Sequence, residues 1–136
     1  RLQVLGQAPL RLLDGAHNPD GARVLAASLR RWIRGRRLAL CCGMLKDKDW
    51  RGILSHLAPL GGRFFLARPP DARGLEPEAS AELLRAWGWE AQIHASVPAA
   101  WRAACKWAGK GGLACATGSL YTVGALLKAL KKPSFR

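Results

Sequence analysis

The sequence predicts an α/β fold: a Rossmann-like, doubly wound, mostly parallel sheet of about six strands with helices on both faces. Two observations carry this. Short unbroken apolar runs such as Leu38-Ala39-Leu40-Cys41-Cys42 lack polar alternation, as expected of strands buried on both faces. These runs alternate with segments of helical period, five times at close spacing, which is the pattern of a parallel sheet with crossover helices. Right-handed crossovers then place helices on both sides.

The elements follow in order. Arg1 to Leu5 can add a first strand, and Leu10-Arg11-Leu12-Leu13 reads as the next. After the turn Asp14-Gly15-Ala16-His17, Asn18 suits an N-cap, Pro19 the first helical position and Asp20 the positive helix end. Ala22, Leu25, Ala26, Leu29 and Ile33 recur at helical spacing, and Gly35 ends that helix. The strand Leu38 to Cys42 stops at Gly43. Trp50, Ile53, Leu54 and Leu57 mark a second helix, stopped near Pro59. Arg63 to Leu66 is a strand, followed by a loop from Ala67 to Gly74. Leu83, Leu84 and Trp87 mark a third helix ending at Gly88, and Trp89 to His94 the next strand. Ser96 can cap a helix carrying Ala100, Trp101, Ala104, Cys105 and Ala108. Leu113 to Ala116 is the last strand, and Thr117-Gly118-Ser119 turns into a final helix with Leu120, Val123, Leu127 and Leu130.

The 136 residues bound the chain to one domain, residues 1–136. Hydrophobic residues make up 49%, enough for one core and too much for a disordered chain. No apolar run approaches the roughly 18 residues of a membrane helix. The start has no signal-peptide pattern and no initiator Met, so the chain is expected to be part of a longer protein. Cys41, Cys42, Cys105 and Cys115 form no C-x-x-C pair, and no His sits at zinc spacing. Free thiols of a reducing, cytoplasmic protein are expected. The six tryptophans fall mostly at helical core spacing and read as packing.

Lys and Arg total 22 against 9 Asp and Glu, a net charge of +13. Such a balance favours an anionic partner. The basic residues are scattered, however: Arg23, Arg30, Arg31 and Arg34 on one helix, Arg36 and Arg37 at its end, and Lys128, Lys131 and Lys132 near the chain end. A solvated basic surface is the simplest reading. A stand-alone anion- or nucleic-acid-binding module remains as an alternative.

In doubly wound sheets, ligands bind outside the carboxyl ends of the strands. Three strand-to-helix loops on that edge are rich in small and functional residues: Asp14 to Asn18, Gly43 to Asp49, and Thr117 to Ser119. They place Asp14, His17, Lys46, Lys48, Thr117 and Ser119 along one rim, where helix N-termini favour anions. Asp14 could also cap a turn, Thr117 and Ser119 could cap the last helix, and Asp47-Lys48-Asp49 could form a paired cap. His56 is expected to face solvent and His94 to be structural. No Walker A loop, G-x-G-x-x-G or nucleophile elbow is present.

The same loops carry a family resemblance. Leu13-Asp14-Gly15-Ala16-His17-Asn18-Pro19 resembles the signature opening the C-terminal domain of folylpolyglutamate synthase and dihydrofolate synthase, members of the Mur ligase superfamily. Gly43-Met44-Leu45-Lys46-Asp47-Lys48-Asp49 resembles the family's G-x-L-x-D-K-D segment, and Ala116-Thr117-Gly118-Ser119-Leu120-Tyr121 its T-G-S-L-Y segment. Arg1-Leu2-Gln3 resembles the R-L-E that begins this domain. The muramyl-peptide ligases share the domain, but the diaminopimelate- or lysine-adding type shows D-Y-A-H-T-P-D and a D-N-P-R segment absent here. Two departures stand out: Arg73-Gly74-Leu75 replaces R-A-L, and Gln3 replaces Glu, which removes a possible hinge salt bridge.

The resemblance implies an ATP-dependent, Mg²⁺-requiring ligase that adds L-glutamate to dihydropteroate or a folyl-glutamate through an acyl phosphate. It implies an N-terminal P-loop ATPase domain, holding the Mg²⁺ ligands, with the active site in the cleft between the domains. The isolated domain is then expected to be inactive, and the enzyme to be a monomer that needs neither membrane nor nucleic acid. Carried over, Arg1 reaches the ATP phosphates from the hinge, and Asp14 contacts the ribose side of the nucleotide. His17 lies at the reaction centre near nucleotide and glutamate. Ser119 helps hold the incoming glutamate, and Lys48 supports the rim.

Overall fold

The computed structural model describes residues 2–135. Arg1 lies outside the described residues. The elements are β1 (Gln3–Gln7), β2 (Leu10–Leu13), α1 (Pro19–Ile33), β3 (Leu38–Cys42), α2 (Trp50–Leu57), β4 (Arg63–Leu66), α3 (Pro77–Ala86), β5 (Ala91–Ile93), α4 (Val97–Ala108), β6 (Leu113–Thr117) and α5 (Leu120–Leu130). A short 3-10 turn, Ala58–Leu60, follows α2. The six strands form one sheet in the order β1-β2-β6-β3-β4-β5. All neighbours are parallel except β1, which pairs antiparallel with β2. The doubly wound, mostly parallel sheet is therefore as the sequence predicts. Among the described residues no helix is long and apolar enough to cross a membrane.

Strand alternation divides the core into two layers. In β3, Leu38, Leu40 and Cys42 face one side, and Ala39 and Cys41 the other. The first layer packs under α1, α2 and α3 through Leu25, Leu29, Ile53, Leu54, Leu57 and Leu84. The second packs under α4 and α5 through Val97, Trp101, Ala104 and Leu126. Small residues in β6 (Ala114, Ala116) leave room for α4 to lie close on the sheet, with Phe65 of β4 filling the space beside it.

Local caps set the helix starts. Asn18, Asp49, Ser96 and Ser119 each accept a backbone N–H from three residues on. Several element ends differ from the sequence expectation: β1 runs on to Gln7, past the expected Leu5, and β6 to Thr117, past Ala116. Helix α3 stops at Ala86, and the N–H groups of Gly88 and Trp89 return to Arg85 O (3.0 Å) and Leu84 O (2.9 Å). This double return closes the helix around Gly88, whose φ is +91°. Trp89 thus belongs to the cap of α3, and β5 starts only at Ala91. At the end of α1, Arg34 takes the left-handed conformation (φ +40°), one residue before Gly35.

The aromatic expectation needs a larger correction. Trp50 and Trp101 are buried, but Trp32 and Trp87 are 38% and 43% exposed. Both lie at helix ends, where spacing along the helix no longer implies a facing sheet. Trp107 is half-buried, flanked by the guanidiniums of Arg37 at 4.9 Å and Arg63 at 4.6 Å. His56 is half-buried and not fully solvent-facing. His94 stacks on Phe65 with centroids 6.0 Å apart, in keeping with a structural role. Cys41, Cys42 and Cys115 are buried free thiols, and Cys105 is half-buried and free.

Candidate functional site

The three motif loops meet at the carboxyl edge because β2, β6 and β3 are adjacent in the sheet. Hydrogen bonds then tie them to one another. The N–H of Asp14 donates to Ala116 O (3.0 Å), that of Gly43 to Thr117 O (3.2 Å) and that of Gly118 to Ala16 O (3.1 Å). Thr122 Oγ1 donates to Gly43 O at 2.7 Å, joining α5 to the loop after β3. Glycine is required at two of these meeting points. Gly118 has φ +111°, and a Cβ there would stand 2.7 Å from Gly43 O. A Cβ on Gly43 would press on Thr122 Oγ1 and Ala67 O.

Asp14 is buried, and its Oδ1 accepts the Ala16 N–H at 2.9 Å. This side-chain turn fixes the loop that carries His17. His17 is exposed, with Nδ1 3.0 Å from Gly15 O. A carbonyl oxygen only accepts, so that bond puts the proton on Nδ1 and leaves Nε2 of the neutral ring as an acceptor. Asp14 and His17 share a groove of about 580 Å³ between the start of α1 and the start of α5. Its walls are largely apolar, including Val24, Leu25, Leu120 and Val123. Leu120 is 66% exposed, unusual for a leucine at a helix start and consistent with a wall that meets a ligand or a second surface.

Ser119 is fully buried. Its Oγ accepts the Thr122 N–H at 3.0 Å and lies 2.9 Å from Thr122 Oγ1. The single hydroxyl proton of Thr122 goes to Gly43 O, so Ser119 must donate its own to Thr122. The Ser119 hydroxyl is therefore engaged within the turn, as a cap. Thr117 is also fully buried, and its Oγ1 has no hydrogen-bond partner among the described residues. Lys46 and Lys48 are exposed on the loop after β3, while Asp49 caps α2 through the Gly52 N–H at 2.9 Å. Asp47 turns away from Lys48 as a partner and faces Arg73 at 3.6 Å. The structure thus brings Asp14 and His17 together in one groove, with Lys48 and Ser119 on the adjoining loops.

Arg73 is the rim residue that sequence patterns did not assign to the site. Its guanidinium bonds Tyr121 Oη (2.8 Å) and Asp71 Oδ1 (3.1 Å) and reaches Asp47, so one side chain joins two loops to the start of α5. The backbone N–H of Arg73, and then its side chain, hold the Asp71 carboxyl below the usual aspartate range. The adjacent Gly74 sits where a Cβ would meet Pro69 O at 2.6 Å. An alanine at this position would need the loop to shift. Among the described residues no three His, Cys, Asp or Glu side chains group to hold a metal ion.

Comparison with known proteins decides the family. The Mur ligase, glutamate ligase domain family matches residues 1–120. The chain belongs to this family. The dihydrofolate synthase/folylpolyglutamate synthase of Escherichia coli is 29% identical over 130 residues, covering 96% of this chain and 30% of that protein. A folylpolyglutamate synthase of Lacticaseibacillus casei is 32% identical over 84 residues, covering 62% of this chain and 19% of that protein. The ligand-free bifunctional enzyme of Yersinia pestis superimposes with a TM-score of 0.88 at 33% identity, covering 97% of this chain and 31% of that one. A bifunctional folylpolyglutamate synthase/dihydrofolate synthase with Mn, AMPPNP and L-glutamate bound superimposes with a TM-score of 0.87 at 33% identity, covering 96% of this chain and 31% of that one. This glutamate ligase domain matches their C-terminal domain and spans less than a third of their length.

Proposed function

We propose that this glutamate ligase domain is the C-terminal part of an ATP-dependent folate ligase, which adds L-glutamate to dihydropteroate, to a folyl-glutamate, or to both. The observation that carries the reading is the hydrogen-bonded meeting of the three motif loops around the Asp14–His17 groove. The similarity to enzymes solved with AMPPNP, Mn and L-glutamate supports it.

The groove suits one side of a nucleotide by its apolar walls and its acceptor groups. Its apolar walls can face a ring, and the Asp14 carboxylate can accept from ribose hydroxyls. Bound ATP would supply the phosphoryl group that activates the substrate carboxylate as an acyl phosphate for attack by the glutamate amine. His17, oriented by Gly15 O, offers Nε2 at the edge of that groove, near nucleotide and glutamate. Ser119 acts by fixing the turn beside which glutamate lies, since its hydroxyl is engaged in the cap. Lys48 adds positive charge to the rim, which favours a phosphorylated or carboxylate ligand. Arg1 is assigned to the ATP phosphates. The Mg²⁺ ligands are assigned to an N-terminal P-loop domain. The same reading makes the enzyme a cytoplasmic monomer, and this domain inactive by itself.

Sequencing the coding region upstream of the Arg1 codon tests the division of labour. An in-frame stretch with a G-x-x-G-K-[ST] loop is the expected result. A start codon directly before Arg1 would overturn it.

A further inference from the structure

A second cavity, of about 500 Å³, lies where the middle of α4 and the end of α5 meet β1 and β2. Its volume falls in the range of small-molecule sites, roughly 300–1,000 Å³. Trp101, Phe135, Leu5 and Leu130 give it apolar walls, and Arg11 and Arg102 give it two guanidiniums. Neither arginine forms an ion pair with a carboxylate among the described residues. Arg11 is the more telling of the two. Its guanidinium lies across Gly6, in space that a Cβ there would occupy, and its Nε is buried with no acceptor among the described residues. Arg63 also has a buried, unpaired Nε, but its terminal nitrogen pairs with Glu90 and its charge sits over Trp107. Arg11 has no such relief. A buried donor without an acceptor costs about 1–3 kcal/mol, so it calls for a partner.

Among the described residues that line the cavity there is no carboxylate to repel an anion. Arg102 stacks on the Phe135 ring at 4.2 Å, which holds its charge at the rim. Cys105, the remaining lining residue, stays a neutral thiol: burial pushes it up to about 11, against a smaller opposing pull from Arg11. Trp101 is buried and rigid, a flat wall for an apolar body.

We propose that this cavity binds a small amphipathic carboxylate, its head on Arg11 and Arg102 and its apolar body against Trp101 and Phe135. The site is separate from the Asp14–His17 groove and does not depend on the ligase reading. A guanidinium pair recognises a carboxylate through charge-assisted bonds, and the walls select a body without further charge.

The test is an NMR titration of the 136-residue chain with phenylbutyrate and with its uncharged amide. Phenylbutyrate is expected to shift the Trp101 indole and Leu5 signals saturably, with the amide at least tenfold weaker. Arg11→Met and Arg102→Met should each weaken phenylbutyrate at least tenfold and leave the amide unchanged. Arg102 is exposed, so its variant folds whether or not Arg11→Met does. Equal affinity for acid and amide, shifts confined to the Asp14–His17 groove, or no saturable shift would each overturn the proposal.

Discussion

Thr122 Oγ1 donates to Gly43 O at 2.7 Å, across 79 positions of sequence. This bond fastens the start of α5 to the loop after β3 and, with the Ser119 cap, sets the height of the rim. Thr122→Val keeps the shape and the backbone N–H bond to Ser119 Oγ, but leaves Gly43 O without its donor and the Ser119 hydroxyl proton without its acceptor. It should cost about 1–3 kcal/mol in urea unfolding, the penalty of buried unpaired polar groups. Thr122→Ser, which keeps the hydroxyl, should recover most of that.

Gly118→Ala combines a positive φ with a close approach to Gly43 O. Strain of this kind costs on the order of 1–3 kcal/mol, before the clash is relieved. The lowered midpoint should appear in thermal unfolding. Gly61→Ala has the same sign of φ but open space around it, so it should cost only the conformational part, and the difference between the two isolates the contact.

The caps were legible because they are local. Asn18-Pro19, Ser96 and Ser119 each bind a group three residues away, and the sequence shows both partners. The two-layer core was legible because Leu38 to Cys42 alternates in space while staying apolar throughout. The clasp between Thr122 and Gly43 was not, since it exists only once β6 lies beside β3. Arg73 was missed as a bridge for the same reason: Asp47 comes from the loop after β3 and Tyr121 from α5. Trp32 and Trp87 were misread because helical spacing does not report where the sheet ends. Trp89 was given to a strand because the sequence shows the Gly88 helix stop but not the bond by which the Trp89 N–H returns to Leu84 O.

The buried thiols make stability fall at high pH. Burial raises Cys41 and Cys115 well above their ordinary value and Cys42 to about 12. A group raised on folding keeps its proton in the native state while the unfolded chain loses it above about pH 9. The stabilisation is complete below that pH and is lost as pH rises toward the folded values. Urea midpoints should therefore decline from pH 9 to 11. Cys42→Ala should flatten part of that decline.

The Arg73 bridge should survive mild acid. Asp71 is held below 3.8 chiefly by the Arg73 backbone N–H. Its carboxyl carbon, followed by NMR, should titrate below that value. Arg73→Ala should move the midpoint upward and sharpen exchange at Tyr121, whose hydroxyl loses its donor. The lowered pKa places any stabilisation above the unfolded value, with loss as pH falls through the folded one.

The most direct test of the central claim is ADP release by the full-length gene product, with and without His17→Ala. Release is expected to require both L-glutamate and a dihydropteroate or folyl-glutamate acceptor. His17→Ala should lower it about 100-fold, as loss of a positioned group at a reaction centre does, with the fold retained. Release that ignores glutamate, or that is unchanged by His17→Ala, would contradict the account.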